Sequence, residues 1–89
     1  MTFAWDSRKG AENLAKHGIP FDYATRVFDD PSRIEQEDQT SFYEEARYHA
    51  IGMVENLLLF VAFTYRQDNI RLISARKATP RERRRCHEI

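Results

Sequence analysis

Apolar positions along this chain follow two regimes. In the first third they recur at helical spacing; from about residue 46 they crowd into short runs divided by turn-forming residues. Thr2 to Trp5 reads as a short strand. Asp6 is a helix cap for a segment running through Ala11, Leu14 and Ala15, and Gly18, just after His17, suits a left-handed stop. Pro20 opens a second helix in which Phe21, Ala24 and Phe28 stand at i, i+3 and i+7, one buried stripe, and Pro31 ends it. Residues 32–45 are polar and acidic, predicting a weak strand over Arg33–Glu37 and then a loop. Three strands follow, Ala46 to Val54, Leu57 to Tyr65 and Ile70 to Ala75. The second is continuously apolar, as in a central strand covered on both faces. Glu55-Asn56 and Gln67-Asp68-Asn69 are short connections, so the strands are expected to pair as antiparallel hairpins.

The segment Thr79-Pro80-Arg81-Glu82 is a capping box with proline at the first helical position. The helix it starts carries Arg81, Arg83, Arg84, Arg85, His87 and Glu88 and has almost no apolar stripe. Such a helix has little reason to hold by itself, so it is expected to dock on RNA or a partner, or to fray. The sum is an α+β two-layer domain over residues 1–89. In it an N-terminal strand and two helices pack on one face of an antiparallel sheet, a short basic helix closes the chain, and the opposite face is open for function.

At 89 residues the chain is one domain with a small core, a size at which a bound partner adds useful stability. Its 42% hydrophobic and 31% charged residues are ordinary for a globular protein. No apolar run approaches the roughly 18 residues of a membrane span, and the N-terminus lacks a signal-peptide pattern. Cys86 is the only cysteine and forms no internal disulfide; read as a lone exposed thiol, it points to the cytoplasm. The formal charge is zero, yet residues 66–89 hold eight basic against three acidic residues, +5, and residues 1–65 therefore carry −5. Seven acids lie between Asp29 and Glu45 with only Arg33 to oppose them. A nucleic acid or an acidic partner for the basic end explains the split, and so does an arginine-rich solvated surface.

Strand alternation places Arg47, His49, Ile51 and Met53 on one face. On the last strand it places Arg71, Ile73 and Ala75 on one face, with Ile70, Leu72, Ser74 and Arg76 on the other. Arginine in an apolar strand is costly to bury, so Arg47 and Arg71 reach solvent or serve a site. With Arg76 and Lys77 they outline a basic groove suited to phosphate. Cutting RNA requires an activated 2′-hydroxyl, a stabilised phosphorane and a protonated leaving oxygen. His17, His49, Glu82 and His87 are the proton-transfer candidates. Each also has a structural reading: helix-end cation, exposed strand residue, capping-box member and terminal residue. Gly10, Gly18 and Gly52 are the only glycines, so no phosphate loop exists, and no zinc-ligand spacing is visible. Neither a metal nor another cofactor is expected.

Several segments resemble the BrnT toxin family. They are Phe3-Ala4-Trp5-Asp6, Asn13-Leu14-Ala15-Lys16-His17-Gly18 with Phe21, Val27-Phe28-Asp29-Asp30-Pro31, Glu45-Ala46-Arg47 leading to Ile51-Gly52, and Ile70 to Thr79 with Glu82-Arg83-Arg84. The resemblance implies a RelE-like fold and a ribonuclease that stops translation. It also implies a BrnA-like antitoxin with a ribbon-helix-helix domain, through which alone operator DNA is bound. It places catalytic positions among Lys16, His17, Arg47, Arg71, Arg76 and Glu82. RNA-binding positions fall among Arg66, Lys77, Arg81 and Arg84, with single-stranded RNA or mRNA as substrate. Cys86 stands where the family usually has tyrosine. The rival reading is a non-catalytic basic module that binds protein or nucleic acid.

Overall fold

A computed structural model of the chain describes residues 2–39 and 45–87, the His87 side chain excepted. The side chain of the proton-transfer candidate His87 and most of the loop expected between Glu37 and Ala46 thus lie outside the described residues. The elements run β1 (Thr2–Ala4), α1 (Ser7–His17), α2 (Phe21–Ala24), a 3-10 turn (Thr25–Asp29), β2 (Ile34–Glu37), β3 (Tyr48–Val54), β4 (Leu57–Arg66), β5 (Asn69–Lys77) and α3 (Pro80–His87). This is the expected α+β layering. No helix among the described residues is long and apolar enough to cross a membrane.

The caps of α1 are those the sequence supplies. The Asp6 carboxylate accepts from the Arg8 and Lys9 amides, and Gly18 takes φ 72°. The second helix is shorter than its stripe implies: one α-turn that tightens into 3-10. Thr25 Oγ1 donates to the Asp22 carbonyl at 2.7 Å, a local bond that competes with α-helical continuation. Phe21, Ala24 and Phe28 are buried as expected, joined by Val27.

The sheet order is β1-β5-β4-β3-β2. β2 to β5 pair antiparallel in sequence, but β1 pairs parallel to β5, through Phe3 opposite Ile70, so the sheet is mixed and not wholly antiparallel. The reason is the route of the chain: it leaves β1, crosses one face as α1 and α2, and re-enters the sheet at the opposite edge. The core lies under those helices. Ala50, Leu59, Val61, Phe63, Ile70, Leu72 and Ala75 face Ile19, Phe21, Ala24, Val27 and Phe28. Gly52 lies beneath the 3-10 turn, where an added Cβ would come 2.9 Å from Val27 Cγ1.

Two polar side chains complete the ladder where edge strands run out. β1 ends opposite Arg71, and beyond it the Asn13 amide takes over. Its Nδ2 donates to the Ala75 carbonyl at 2.8 Å and its Oδ1 accepts from the Ala75 amide at 3.0 Å. At the other edge β2 begins opposite Ile51, and Asp30 Oδ2 accepts from the Met53 amide at 2.8 Å.

β5 is not regular. Ala62 pairs with Ser74 but Phe63 with Leu72, so an extra residue bulges at Ile73–Ser74. The bulge reverses the alternation that regular strand geometry predicts. Ile70, Leu72 and Ala75 are all buried against the helices, and Arg71 and Arg76 therefore emerge together on the outer face. The outer face is also less open than expected, because α3 folds back over it instead of fraying. Arg85 Nη2 donates to Gln36 Oε1 at 3.3 Å, and Cys86 is half-buried, not an exposed thiol.

Candidate functional site

The outer face gathers the charged residues into clusters along β5. The first is at its C-terminal end. Arg76 lies cross-strand from Phe60, and its guanidinium carbon stands 4.2 Å from the ring centroid. That places a cation on the π-face of a half-buried aromatic. Glu82, from the first turn of α3, meets it fork to fork: Nη1 to Oε1 at 2.8 Å and Nη2 to Oε2 at 2.9 Å. Arg76 Nη1 also donates to the Lys77 carbonyl at 3.2 Å. Of the five guanidinium N–H donors, three are thus used among the described residues, leaving Nε–H and one terminal N–H as a side-on fork. The Arg76 side chain is 33% exposed, so an anion from solvent can reach it.

Glu82 is fixed twice. Besides holding Arg76, its Oε1 accepts from the Thr79 amide at 2.8 Å while Thr79 Oγ1 accepts from the Glu82 amide at 3.2 Å, closing the capping box. The Arg76 hydrogen bond holds its carboxyl below the usual carboxylate range, against a smaller opposing effect of burial. A carboxylate so saturated positions Arg76 and is poorly suited to carry protons.

His49 stands on the other side of Phe60, ring centroids 4.9 Å apart, with Nε2 3.4 Å from Gln36 Oε1. Burial lowers its pKa from the ordinary histidine value. Asp38 and Glu82 pull it upward, and Arg85 and Arg76 push it further down. The net result favours the neutral imidazole, the form that accepts a proton. His49 shares a face with Arg47 in the sequence alternation, which is the signal that marks it.

The second cluster lies toward the start of β5. Lys9, Arg47, Arg66 and Arg71 line a cavity of about 320 Å³ together with Glu45, Thr64 and Ile73. Arg66 Nε and Nη2 bond both Glu45 oxygens, at 2.9 and 3.1 Å, and this pair lowers the Glu45 pKa. Lys9 comes from α1, and the sequence pattern gave no reason to single it out.

Lys16 and His17 lie apart from the Arg76 cluster, at the last turn of α1, where they line a depression with Ser74 and Ile73 of the bulge. Lys77, cross-strand from core-facing Leu59, leaves the sheet on the opposite side from Arg76. Arg81 and Arg84 are exposed on α3. No group of three or more metal-binding side chains occurs among the described residues.

No curated protein matches the chain. A family model described as ribonuclease toxin, BrnT, of type II toxin-antitoxin system matches residues 5–82, from Trp5 ahead of α1 to the Glu82 that clamps Arg76, and the chain belongs to that family.

Proposed function

We propose that residues 1–89 act as a single cytoplasmic toxin domain that cleaves single-stranded RNA through its own 2′-hydroxyl, without a metal in the chemical step. The observation that carries this reading is Arg76. It is clamped by Glu82 against the Phe60 ring with two N–H donors unused among the described residues, next to a histidine whose surroundings favour the neutral form. In this reading His49 accepts the 2′-hydroxyl proton as the 2′-oxygen bonds to phosphorus. The bond to the 5′-oxygen then breaks as that oxygen takes up a proton, leaving a 2′,3′-cyclic phosphate and a 5′-hydroxyl. Arg76 donates to the phosphorane oxygens, where charge accumulates. Single strands suit an open sheet face because their bases and 2′-hydroxyls are accessible. Type II membership implies an antitoxin; a BrnA-like ribbon-helix-helix protein is the proposed one, with operator DNA bound only through it.

The test is cleavage of single-stranded RNA by the purified chain in EDTA, beside Arg76→Ala and His49→Gln with folding verified by circular dichroism. Arg76→Ala is expected to lower kcat about 10²–10³-fold, the cost of removing one preorganised donor at a developing oxyanion. The acid limb of the parent's profile is expected below the ordinary histidine value of about 6.5 and to disappear in His49→Gln. Intact RNA with the parent, or an unaltered rate in folded Arg76→Ala, refutes the assignment. A non-catalytic binding module would show RNA or antitoxin binding without any cut.

A further inference from the structure

We infer that the cavity between Lys9, Arg47, Arg66 and Arg71 is a separate subsite for a backbone phosphate of single-stranded RNA, displaced along the strand from the phosphate held at Arg76. This rests on the ribonuclease reading of the outer face and assigns the second cluster to binding instead of chemistry.

Three observations support it. The first is charge. Among the described lining residues four cations stand against one carboxylate, that of Glu45. Glu45 is committed to Arg66, and among the described residues neither Lys9 nor Arg71 has a carboxylate ion-pair partner. The Arg66–Glu45 pair is itself 55% and 41% exposed, so solvent screens it and an incoming phosphate competes with the carboxylate at little cost. The second is size. About 320 Å³ is at the small end of ligand pockets, and a further depression sharing Glu45, Arg66 and Arg71 extends it toward Ala4 and Asn69. Ile73 adds an apolar wall. Thr64 lies in the floor with its hydroxyl already donated to the Ala46 carbonyl, so recognition falls to the cations.

The third is placement. The bulge puts Arg71 on the same face as Arg76. With one residue lost to the bulge, four strand steps at about 3.3 Å separate them by roughly 13 Å. One phosphate cannot touch both, whereas a strand laid along β5 can. Without the bulge the two arginines would point to opposite faces and no single RNA could use them. An acidic peptide meets the same cations but gains nothing from this alignment with the Arg76 fork.

The experiment uses the full chain and a fluorescent, fully 2′-O-methylated single-stranded oligonucleotide, which binds but offers no 2′-hydroxyl. Anisotropy titrations across a range of salt concentrations compare the parent with Lys9→Ala, Arg71→Ala and the double variant, each matched for thermal midpoint. The double variant is expected to weaken binding at least tenfold and to flatten the log–log salt slope by about 0.7, the counterion release of one phosphate on a single strand. With cleavable RNA its loss is expected in KM and not in kcat. Unaltered affinity and slope overturn the proposal, and so does a fall confined to kcat, which would make these residues part of the chemistry. Loss of antitoxin binding with RNA binding intact overturns it too, in favour of a peptide site. A parent that binds the oligonucleotide with the expected Lys9 and Arg71 dependence yet cuts no RNA refutes the ribonuclease reading and leaves the subsite standing.

Discussion

Replacing Asn13 by alanine isolates the contact that ties the first helix to the sheet. Asn13 is 6% exposed, and its amide makes three hydrogen bonds of 2.8 to 3.0 Å, two to Ala75 and one to the Ile19 carbonyl. Alanine leaves the Ala75 amide and two carbonyls in a buried setting without their partner. Each net hydrogen bond is worth about 1 kcal/mol, and each buried group left unsatisfied costs about 1–3 kcal/mol. The three are not additive, and water satisfies part of the debt, so about 3 kcal/mol is the working figure. A domain of this size has on the order of 5–10 kcal/mol in all. At about 4–8 °C per kcal/mol, the thermal midpoint falls by roughly 12–24 °C. The assay is thermal unfolding by circular dichroism, with Leu14→Ala as control because Leu14, the next residue on the same helix, is 49% exposed. Asn13→Ala is expected to fall far below that control and to lose hydrogen-exchange protection at the Ala75 amide. A midpoint within a few degrees of Leu14→Ala, with Ala75 still protected, would refute the edge-completing role.

Gly52→Ala forces a Cβ to 2.9 Å from Val27 Cγ1 and 3.3 Å from the Val27 carbonyl; it is expected to cost about 1–3 kcal/mol, measured as a lowered denaturant midpoint, and an unaltered midpoint would show that the 3-10 turn yields freely. Glu82 gives a pH signature: because Arg76 depresses its folded pKa, its contribution to stability is complete above the unfolded value of about 4.3 and is lost as pH falls through the lower folded value. The stability gap between the parent and Glu82→Gln is therefore expected to be widest near neutrality and to shrink below about pH 4.3, in thermal melts run against pH; a gap constant across that range would refute the clamp.

Local chemistry was legible wherever a side chain acts on its own backbone. The Asp6 cap, the Gly18 stop and the Thr79–Glu82 capping box stand as the residue types require, since each needs only a few neighbours. The apolar run of β4 identified the central strand for a similar reason: only a position between β3 and β5 covers so many consecutive side chains. The cationic residue types of the site could likewise be read, because arginine within an apolar strand is conspicuous. Their grouping was not. Lys9 joins Arg71 only because α1 packs on β5, and Glu82 turns from proton-transfer candidate to Arg76 clamp only once α3 lies on the outer face.

The order of helices and strands, the turns between them and the gathering of basic charge at one end were legible from local pattern alone, although the second helix is shorter than its stripe and β3 starts at Tyr48, not Ala46. Tertiary structure decided the rest. The Ile73–Ser74 bulge sets the face of Arg76, and its only trace in the sequence is a spacing of two and then three between Ile70, Leu72 and Ala75, a pattern regular alternation does not allow for. Likewise the parallel β1 pairing, the polar side chains that finish both sheet edges and the docking of α3 join residues that are tens of positions apart. Propensity and periodicity act over a few residues. Register, bulges and ion pairs across the sheet are fixed by how the whole chain buries its apolar surface while keeping its polar groups bonded.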